Sequence, residues 1–201
     1  MIGDCTALIL AGGDSRRMGR DKADLQLGGQ SLLQRTLDLM RAIFPATLLS
    51  VSQPRGDLDT SIPQIRDDIP NAGPLAGLCA GLRHAATPWV FAVATDMPYL
   101  RPEIILRLAA LRGMHQAVVP IVAGHPQPLA AFYATSALPT LRAALENAQT
   151  RGLRRALAAL DVCHVDETGL RDADATLQSF TDLDTPQDFA EARRHFDEHI
   201  Q

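Results

Sequence analysis

Cysteine is scarce in this chain of 201 residues: Cys5, Cys79 and Cys163 stand alone, with no C-x-x-C pair. Three scattered thiols cannot build a disulfide framework, so free cysteines are expected. No apolar run approaches the ~18 residues of a membrane span. The opening stretch, MIGDCTALILAGG, lacks a basic segment and carries Asp4, so it does not read as a secretory signal, and the cytoplasm is the expected compartment. Positive charge is not in excess either. Lys plus Arg number 19 against 23 for Asp plus Glu, a net of −4, which argues against a general nucleic-acid surface. Any anionic ligand must then be met by a local cluster of cations. Internal repeats, linkers and low-complexity blocks are also absent.

What remains is an ordinary globular composition, 46% apolar and 21% charged, which excludes disorder, collagen and coiled coil as whole-chain readings. The length suits about one domain, large enough to bury ~70% of its unfolded surface unaided.

Short apolar runs alternate with longer helical patterns. Strands are expected at Thr6–Leu10, Thr47–Val51, Gln64–Arg66, Trp89–Ala94, Ala117–Ile121, Leu129–Tyr133 and Cys163–Val165. Ser31 reads as the cap of a helix to Phe44, in which Leu32, Leu33, Thr36, Leu37 and Met40 recur at helical spacing. Pro74 opens a second helix, a place where a missing N–H costs nothing. Gly73, Gly77 and Gly81 recur there every four residues and suggest close packing. Further helices are expected at Pro102–Leu111, Ser136–Ala148 and Leu153–Leu160, with a final one capped by Asp184 or Thr185. The alternation predicts an α/β fold, a mostly parallel central sheet with helices on both faces. The continuous apolar runs fit strands covered on both sides. Ligands of such sheets bind outside the carboxyl ends of the strands, here after Leu10, Val51 and Ala94.

The first of those ends carries the strongest chemical signal, LAGGDSRRMGRDK, residues 10–22. Gly12 and Gly13 let the backbone turn sharply and approach a ligand. Successive exposed N–H groups in such a turn form an anion nest. Three arginines and a lysine against two aspartates give the loop a net of +2, suited to polyphosphate. The pattern is neither the Walker A loop nor the G-x-G-x-x-G turn. A solvated basic loop is the plainer alternative. Asp96, closing the Trp89–Ala94 strand, is placed as a carboxylate for Mg²⁺, which favours one or two carboxylates plus substrate phosphates and water; a loop cap is the alternative. Asp67 and Asp68 precede the glycine-proline helix entry and suit a nucleoside contact or plain loop charges.

Other features read more blandly. His195 and His199 lie four apart on a charged terminal helix with no glutamate at the H-E-x-x-H position, a solvated face. Gly124-His125-Pro126-Gln127-Pro128 is a turn or a ligand loop. Arg151, Arg154 and Arg155 form a solvated cluster or a second phosphate contact. Ser15 has no adjacent histidine, so acyl chemistry has no support.

These motifs resemble the molybdenum cofactor guanylyltransferases, the MobA-type enzymes. Leu10–Gly13, Arg17-Met18-Gly19 and Lys22 match the family's nucleotide loop. The likeness continues through DDIPNAGPLAGL, ATDMPYL, HPQPLAAFY and FTDLDTPQDF, and so spans nearly the whole chain in order. It implies a Rossmann-like nucleotidyltransferase domain over 1–201, its N-terminal half binding nucleotide and its C-terminal half molybdopterin. It implies transfer of GMP from Mg-GTP to the phosphate of molybdenum-loaded molybdopterin, yielding the guanine dinucleotide and pyrophosphate. By motif position Leu10, Ala11, Gly12, Gly13, Lys22, Ser52, Asp67 and Asp96 bind the nucleotide. Lys22, Arg17 and Asp96 serve catalysis, and Asp96 holds Mg²⁺. Gln127, Pro128, Arg154, Asp182 and Asp184 face the molybdopterin. A monomer is implied, with transient contacts to cofactor-assembly proteins and recipient molybdoenzymes.

Two departures stand out. The family often has asparagine after the second strand, where this chain reads Ser50-Val51-Ser52-Gln53; it commonly has Asn-x-Asn-Thr-Pro where this chain reads Asp182-Leu183-Asp184-Thr185-Pro186. A cytidylyltransferase of the same fold is the nearest rival, although LAGG favours guanine over the LAAG of the cytidine relatives. A non-catalytic nucleotide or cofactor carrier is the rival from another class.

Overall fold

The computed structural model describes residues 1–11, 22–56, 61–66, 69, 72–147 and 152–198. Its framework is one eight-stranded mixed sheet. The strands are β1 (Cys5–Leu10), β4 (Ala46–Ser50), β5 (Gln64–Ile65), β6 (Trp89–Ala94), β7 (Ala117–Val122), β8 (His125–Pro126), β9 (Ala130–Ala134) and β10 (Val162–Val165). A separate two-stranded hairpin joins β2 (Gln26–Leu27) to β3 (Gln30–Ser31). The order across the sheet is β10-β7-β9-β6-β1-β4-β5, with β8 paired to β7. The helices are α1 (Leu32–Ile43), α2 (Pro74–His84), α3 (Pro102–Ala109), α4 (Leu138–Glu146), α5 (Leu153–Ala156), α6 (Glu167–Leu170) and α7 (Pro186–Glu198).

Alternation along the strands builds two cores. Ala7 and Ile9 of β1, with Phe91 and Val93 of β6, face Leu33, Leu37 and Met40 of α1 and Ile104, Ile105 and Leu108 of α3. Phe44, Phe91 and Phe132 fill the middle, with ring centroids 4.8–6.3 Å apart. Leu8, Val90 and Ala92 point the other way, against Leu75, Leu78 and Leu82 of α2 and Leu141 and Leu145 of α4. The expected mostly parallel sheet with helices on both faces is therefore what forms.

One strand departs from the parallel pattern. β9 runs antiparallel to both of its neighbours, β6 and β7. The seven residues between Val122 and Ala130 hold only the small β8 hairpin. A parallel return needs a crossover of a dozen residues or more, so the chain has to turn back on itself. The consequence for function is direct: the start of β9, not its end, lies at the carboxyl edge of β1 and β6.

Local details follow residue chemistry. Ser31 caps α1, its Oγ accepting from the Gln34 N–H at 3.1 Å. Thr185, rather than Asp184, caps α7: Thr185 Oγ1 accepts from Asp188 N–H (3.2 Å) and Asp188 Oδ2 accepts from Thr185 N–H (2.8 Å), a reciprocal capping box. The glycine recurrence on α2 proves to have separate causes. A Cβ at Gly81 would lie 2.3 Å from Leu8 Cδ2, so the helix rests directly on β1 there. Gly73 has φ +74° and open space around it; its reason is the left-handed turn into Pro74. The predicted helix Ser136–Ala148 begins as a 3-10 turn and is α-helical from Leu138, and Leu153–Leu160 splits into α5 and a 3-10 turn. Cys5 and Cys79 are buried and Cys163 is half-buried, all three outside any disulfide. No helix among the described residues is long and apolar enough to cross a membrane.

Candidate active site at the carboxyl edge of the sheet

Parallel pairing of β1 with β4 and β6 aligns Leu10, Ser50 and Ala94 at one edge. Chain direction alone thus sets the ends of three strands side by side. The Ala11 N–H donates to Ser50 O at 3.0 Å, extending β1 by one residue. The next residues include Gly12, Gly13 and Arg17, which lie outside the described residues, as do Asp67 and Asp68. Chain description resumes at Lys22, in a short 3-10 turn beside the β2–β3 hairpin.

Lys22 and Asp96 meet at this edge although 74 residues apart: Lys22 Nζ donates to Asp96 Oδ2 at 3.2 Å. The same ammonium donates to Asp184 Oδ1 at 2.8 Å. The Lys22 and Asp96 side chains are only 21% and 22% exposed. Burial on its own would lower the lysine pKa. The hydrogen bonds and charges of Asp184 and Asp96 outweigh it, so the ammonium titrates above the ordinary lysine value and stays charged at neutral pH.

A cavity of about 450 Å³ opens beside this pair. Asp96, Met97 and Ala94 supply one wall, from the end of β6. Gln127, Pro128 and Leu129 supply another, just before β9. Gly152 to Arg155 close it from the start of α5, and Asp182 and Pro74 complete the lining. Tyr133 holds the second wall from below. It is fully buried, and its hydroxyl donates to Pro128 O at 2.8 Å. Burial pushes the phenol pKa up, so it remains a neutral donor.

The strap 182–184 reaches the edge outside any helix or strand, and its three residues go three ways. Asp182 faces the cavity. Leu183 is 1% exposed, packed in a third small core with Leu27, Leu32 and Ala192, and its N–H donates to Asp96 O at 3.0 Å. Asp184 holds Lys22. Asp182 is exposed where it looks onto the cavity, but neighbouring protein strips part of the water from its carboxyl. That partial desolvation, then the charges of Asp96 and Asp184, raise its pKa to about 6, against opposing pulls from Lys22 and Arg154.

Of the residues singled out in the sequence, Asp96, Gln127, Pro128, Arg154 and Asp182 line one cavity, and Lys22 and Asp184 are hydrogen-bonded at its rim. Leu10 and Ala11 sit at the end of β1. Ser52 is exposed in the loop after β4 and is not part of the cavity wall. Arg155, weighed in the sequence as a solvated charge or a second phosphate contact, also stands in the lining; Met97 in the lining and Tyr133 beneath it were passed over. His195, read as a solvated histidine, is exposed but stacks edge-on against Tyr99, centroids 5.5 Å apart; His199 lies outside the described residues.

Asp96 offers hard oxygens at the edge, a donor suited to Mg²⁺, which completes its shell with phosphate oxygens and water. Among the described residues no three His, Cys, Asp or Glu side chains form a self-sufficient metal cage. Chemically, the arrangement pairs a fixed cation and a metal-capable carboxylate with a cavity that has apolar walls and an arginine rim.

Residues 7–164 match the family model of the MobA-like NTP transferase domain. The molybdenum cofactor guanylyltransferase of Vibrio cholerae is 34% identical to this chain, covering 94% of it and 91% of the relative. A probable molybdenum cofactor guanylyltransferase of Chloroflexus aggregans is 32% identical over 91% of this chain and 90% of its own. Among solved structures, molybdopterin-guanine dinucleotide biosynthesis protein A of Archaeoglobus fulgidus superposes with a TM-score of 0.83 at 28% identity, covering 96% and 99% of the two chains. The 4-diphosphocytidyl-2C-methyl-D-erythritol synthase of Anaerococcus prevotii, at 14% identity and a TM-score of 0.70 over 98% and 97% of the two chains, shares the fold.

Proposed function

The chain belongs to the MobA-like NTP transferase family, and on that premise we propose that it transfers GMP from GTP to the terminal phosphate of molybdenum-loaded molybdopterin. The products are the guanine dinucleotide cofactor and pyrophosphate. The observation that carries the reading is the cavity itself. It joins Asp96 to Gln127, Pro128, Arg154 and Asp182, with Lys22 on Asp96 at its rim. Residues from both halves of the chain line one cavity, which supports a site shared by nucleotide and acceptor.

The chemistry asked of these residues is charge neutralisation and positioning. A phosphate oxygen of the acceptor attacks the α-phosphorus of GTP, and the bond to the β-phosphate bridging oxygen breaks. The attacking oxygen is already anionic at neutral pH, so no general base is needed. The obstacle is repulsion between anions. Lys22 meets it with a permanent positive charge, while Arg17 and the backbone donors of the glycine loop take the remaining phosphate oxygens. Asp96 is the residue that would hold Mg²⁺; when bound, the metal offsets charge on the phosphates and supports the departing pyrophosphate. Arg154 faces the acceptor's anionic arm, and the apolar wall excludes water and orients the ring system.

Pyrophosphate release by the purified protein with Mg²⁺ and molybdenum-loaded molybdopterin, comparing GTP with CTP, tests this. Release with GTP and not with CTP is expected. Release with CTP alone would leave fold and chemistry standing and overturn the guanine assignment.

A further inference from the structure

We propose that Arg55 is a positioning residue for Lys22, acting through Asp24, and that the Gln64 side chain in turn holds Arg55. For its effect on rate this inference rests on the reading of GMP transfer; the placement of the Lys22 ammonium stands apart from it.

Lysine ends in a compact ammonium on a flexible stem of four carbons. Asp96 and Asp184 engage that tip in Lys22. A tip held by two carboxylates is placed only as well as the base of its stem. The base is the short turn Lys22–Asp24, and no ladder of the main sheet includes it. The β2–β3 hairpin beside it pairs with itself, apart from the eight strands. Backbone bonds close the turn locally: Leu25 N–H donates to Lys22 O at 3.1 Å, and Leu32 N–H to Leu25 O at 3.0 Å. Ala23 is buried, which fixes the depth of the turn but not its direction.

Asp24 supplies the direction. Its carboxylate takes the guanidinium of Arg55, in the loop after β4. The Arg55 side chain is only 13% exposed, so water is a poor substitute for that partner. Arg55 is itself placed by Gln64, the first residue of β5. The Arg55 N–H donates to Gln64 Oε1 at 2.8 Å, and Gln64 Nε2 donates to Arg55 O at 2.7 Å. One amide carries both an acceptor and donors, and here it meets both backbone groups of a loop residue as a strand neighbour would. A continuous path of polar contacts therefore runs from β5 through Gln64, Arg55 and Asp24 to the Lys22 turn. The Lys22 side chain carries it on to Asp96 at the end of β6. Both ends of the path belong to one sheet. Breaking it at Arg55 leaves the lysine held from its tip without the brace at its base.

Lys22 is the only lysine in the chain, so an amine reagent reads its state directly. Acylation of the intact protein, followed by digestion at arginine and mass spectrometry, reports Lys22 in one peptide and the N-terminal amine in another. An ammonium held by two carboxylates reacts slowly, because the reagent takes the neutral amine. Arg55→Ala should raise the Lys22 rate about 10-fold, the gain in neutral amine for a pKa lower by about one unit. Asp24→Asn should act in the same direction, and Asp24→Glu, which keeps the carboxylate, should stay near the native rate. In pyrophosphate release with GTP and molybdenum-loaded molybdopterin, Arg55→Ala should lower kcat about 10-fold, the scale of a misplaced reacting group, and leave the KM for the acceptor unchanged. In a Lys22→Ala background the same substitution should cost nothing further, since its effect passes through the lysine.

An equal loss in both backgrounds would overturn the inference. So would native acylation of Lys22 in a folded Arg55→Ala protein. Should Arg55→Ala fail to fold, Asp24→Asn carries the same comparisons, and a native acylation rate there overturns the inference. Faster acylation in the variants of a protein that transfers no GMP sustains the placement and overturns the transfer reading. Transfer by the native protein with acylation indifferent to Arg55 and Asp24 overturns the placement alone.

Discussion

Lys22 gains its position from two carboxylates on different parts of the chain, Asp96 at 3.2 Å and Asp184 at 2.8 Å. Removing its charge should cost at least about 10²-fold in transfer rate, the scale of one lost donor to a developing anion. Lys22→Ala and Asp96→Ala are each expected to show that loss in steady-state kinetics while keeping a native melting transition. Full activity in a folded Asp96→Ala protein would remove Asp96 from the metal role. Asp182 makes a separate prediction about stability. Its pKa is higher in the folded chain, about 6, than the ~3.9 of an unperturbed aspartate. The folded state thus binds its proton more tightly, a contribution present below the unfolded value and lost as pH rises through 6. Asp182→Asn should leave the melting temperature unchanged near pH 4 and raise it at pH 7.5; an equal shift at both values would contradict the charge argument. Lys22, Asp96 and Arg154 stood out in the sequence, the first two from motifs at strand ends and the third from a cationic cluster, each beside a plain surface alternative. Tyr133 did not, since a tyrosine inside AAFY reads as core. Its polar tip was the available signal, because a buried phenol seeks a partner, and the partner is Pro128 O.

At the scale of elements, α2 lies so close to β1 that Gly81 has no room for a side chain. Gly81→Ala would place a methyl 2.3 Å from Leu8 Cδ2, and overpacking of this kind costs roughly 1–3 kcal/mol. Denaturant unfolding should show that loss despite the higher helix propensity of alanine. A more stable Gly81→Ala protein would mean that Leu8 yields freely. The α7 cap has a smaller effect. Thr185→Ala removes the hydroxyl that accepts from Asp188 N–H and is expected to cost about 1 kcal/mol. Because Thr185 adjoins the strap, its kinetic effect should appear in the KM for the acceptor more than in kcat. The elements themselves were mostly legible, α1 from its cap and apolar stripe, β1 and β6 from continuous apolar runs. The direction of β9 was missed because burial alternates alike in parallel and antiparallel strands. The short connection from Val122 to Ala130 held the answer, being too brief for a crossover. The β2–β3 and β8 pairings are two residues per strand, below the length at which a pattern can show.

For the whole molecule, the reversed β9 delivers Gln127 and Pro128 to the same edge as Asp96, and the strap brings Asp182 and Asp184 there from near the other end of the chain. The cavity is therefore a product of topology. The sequence names its residues but not their convergence. The account stands or falls on direct transfer of the α-phosphoryl group between two anions held at that edge. Following α-labelled GTP through a reaction with Mg²⁺ and molybdenum-loaded molybdopterin, and separating protein, nucleotide and pterin products after quenching, tests it most directly. The label should pass into the pterin dinucleotide, one for each unlabelled pyrophosphate released, with none on the protein. Label retained in GTP, released as free GMP, or bound covalently to the chain would contradict the account.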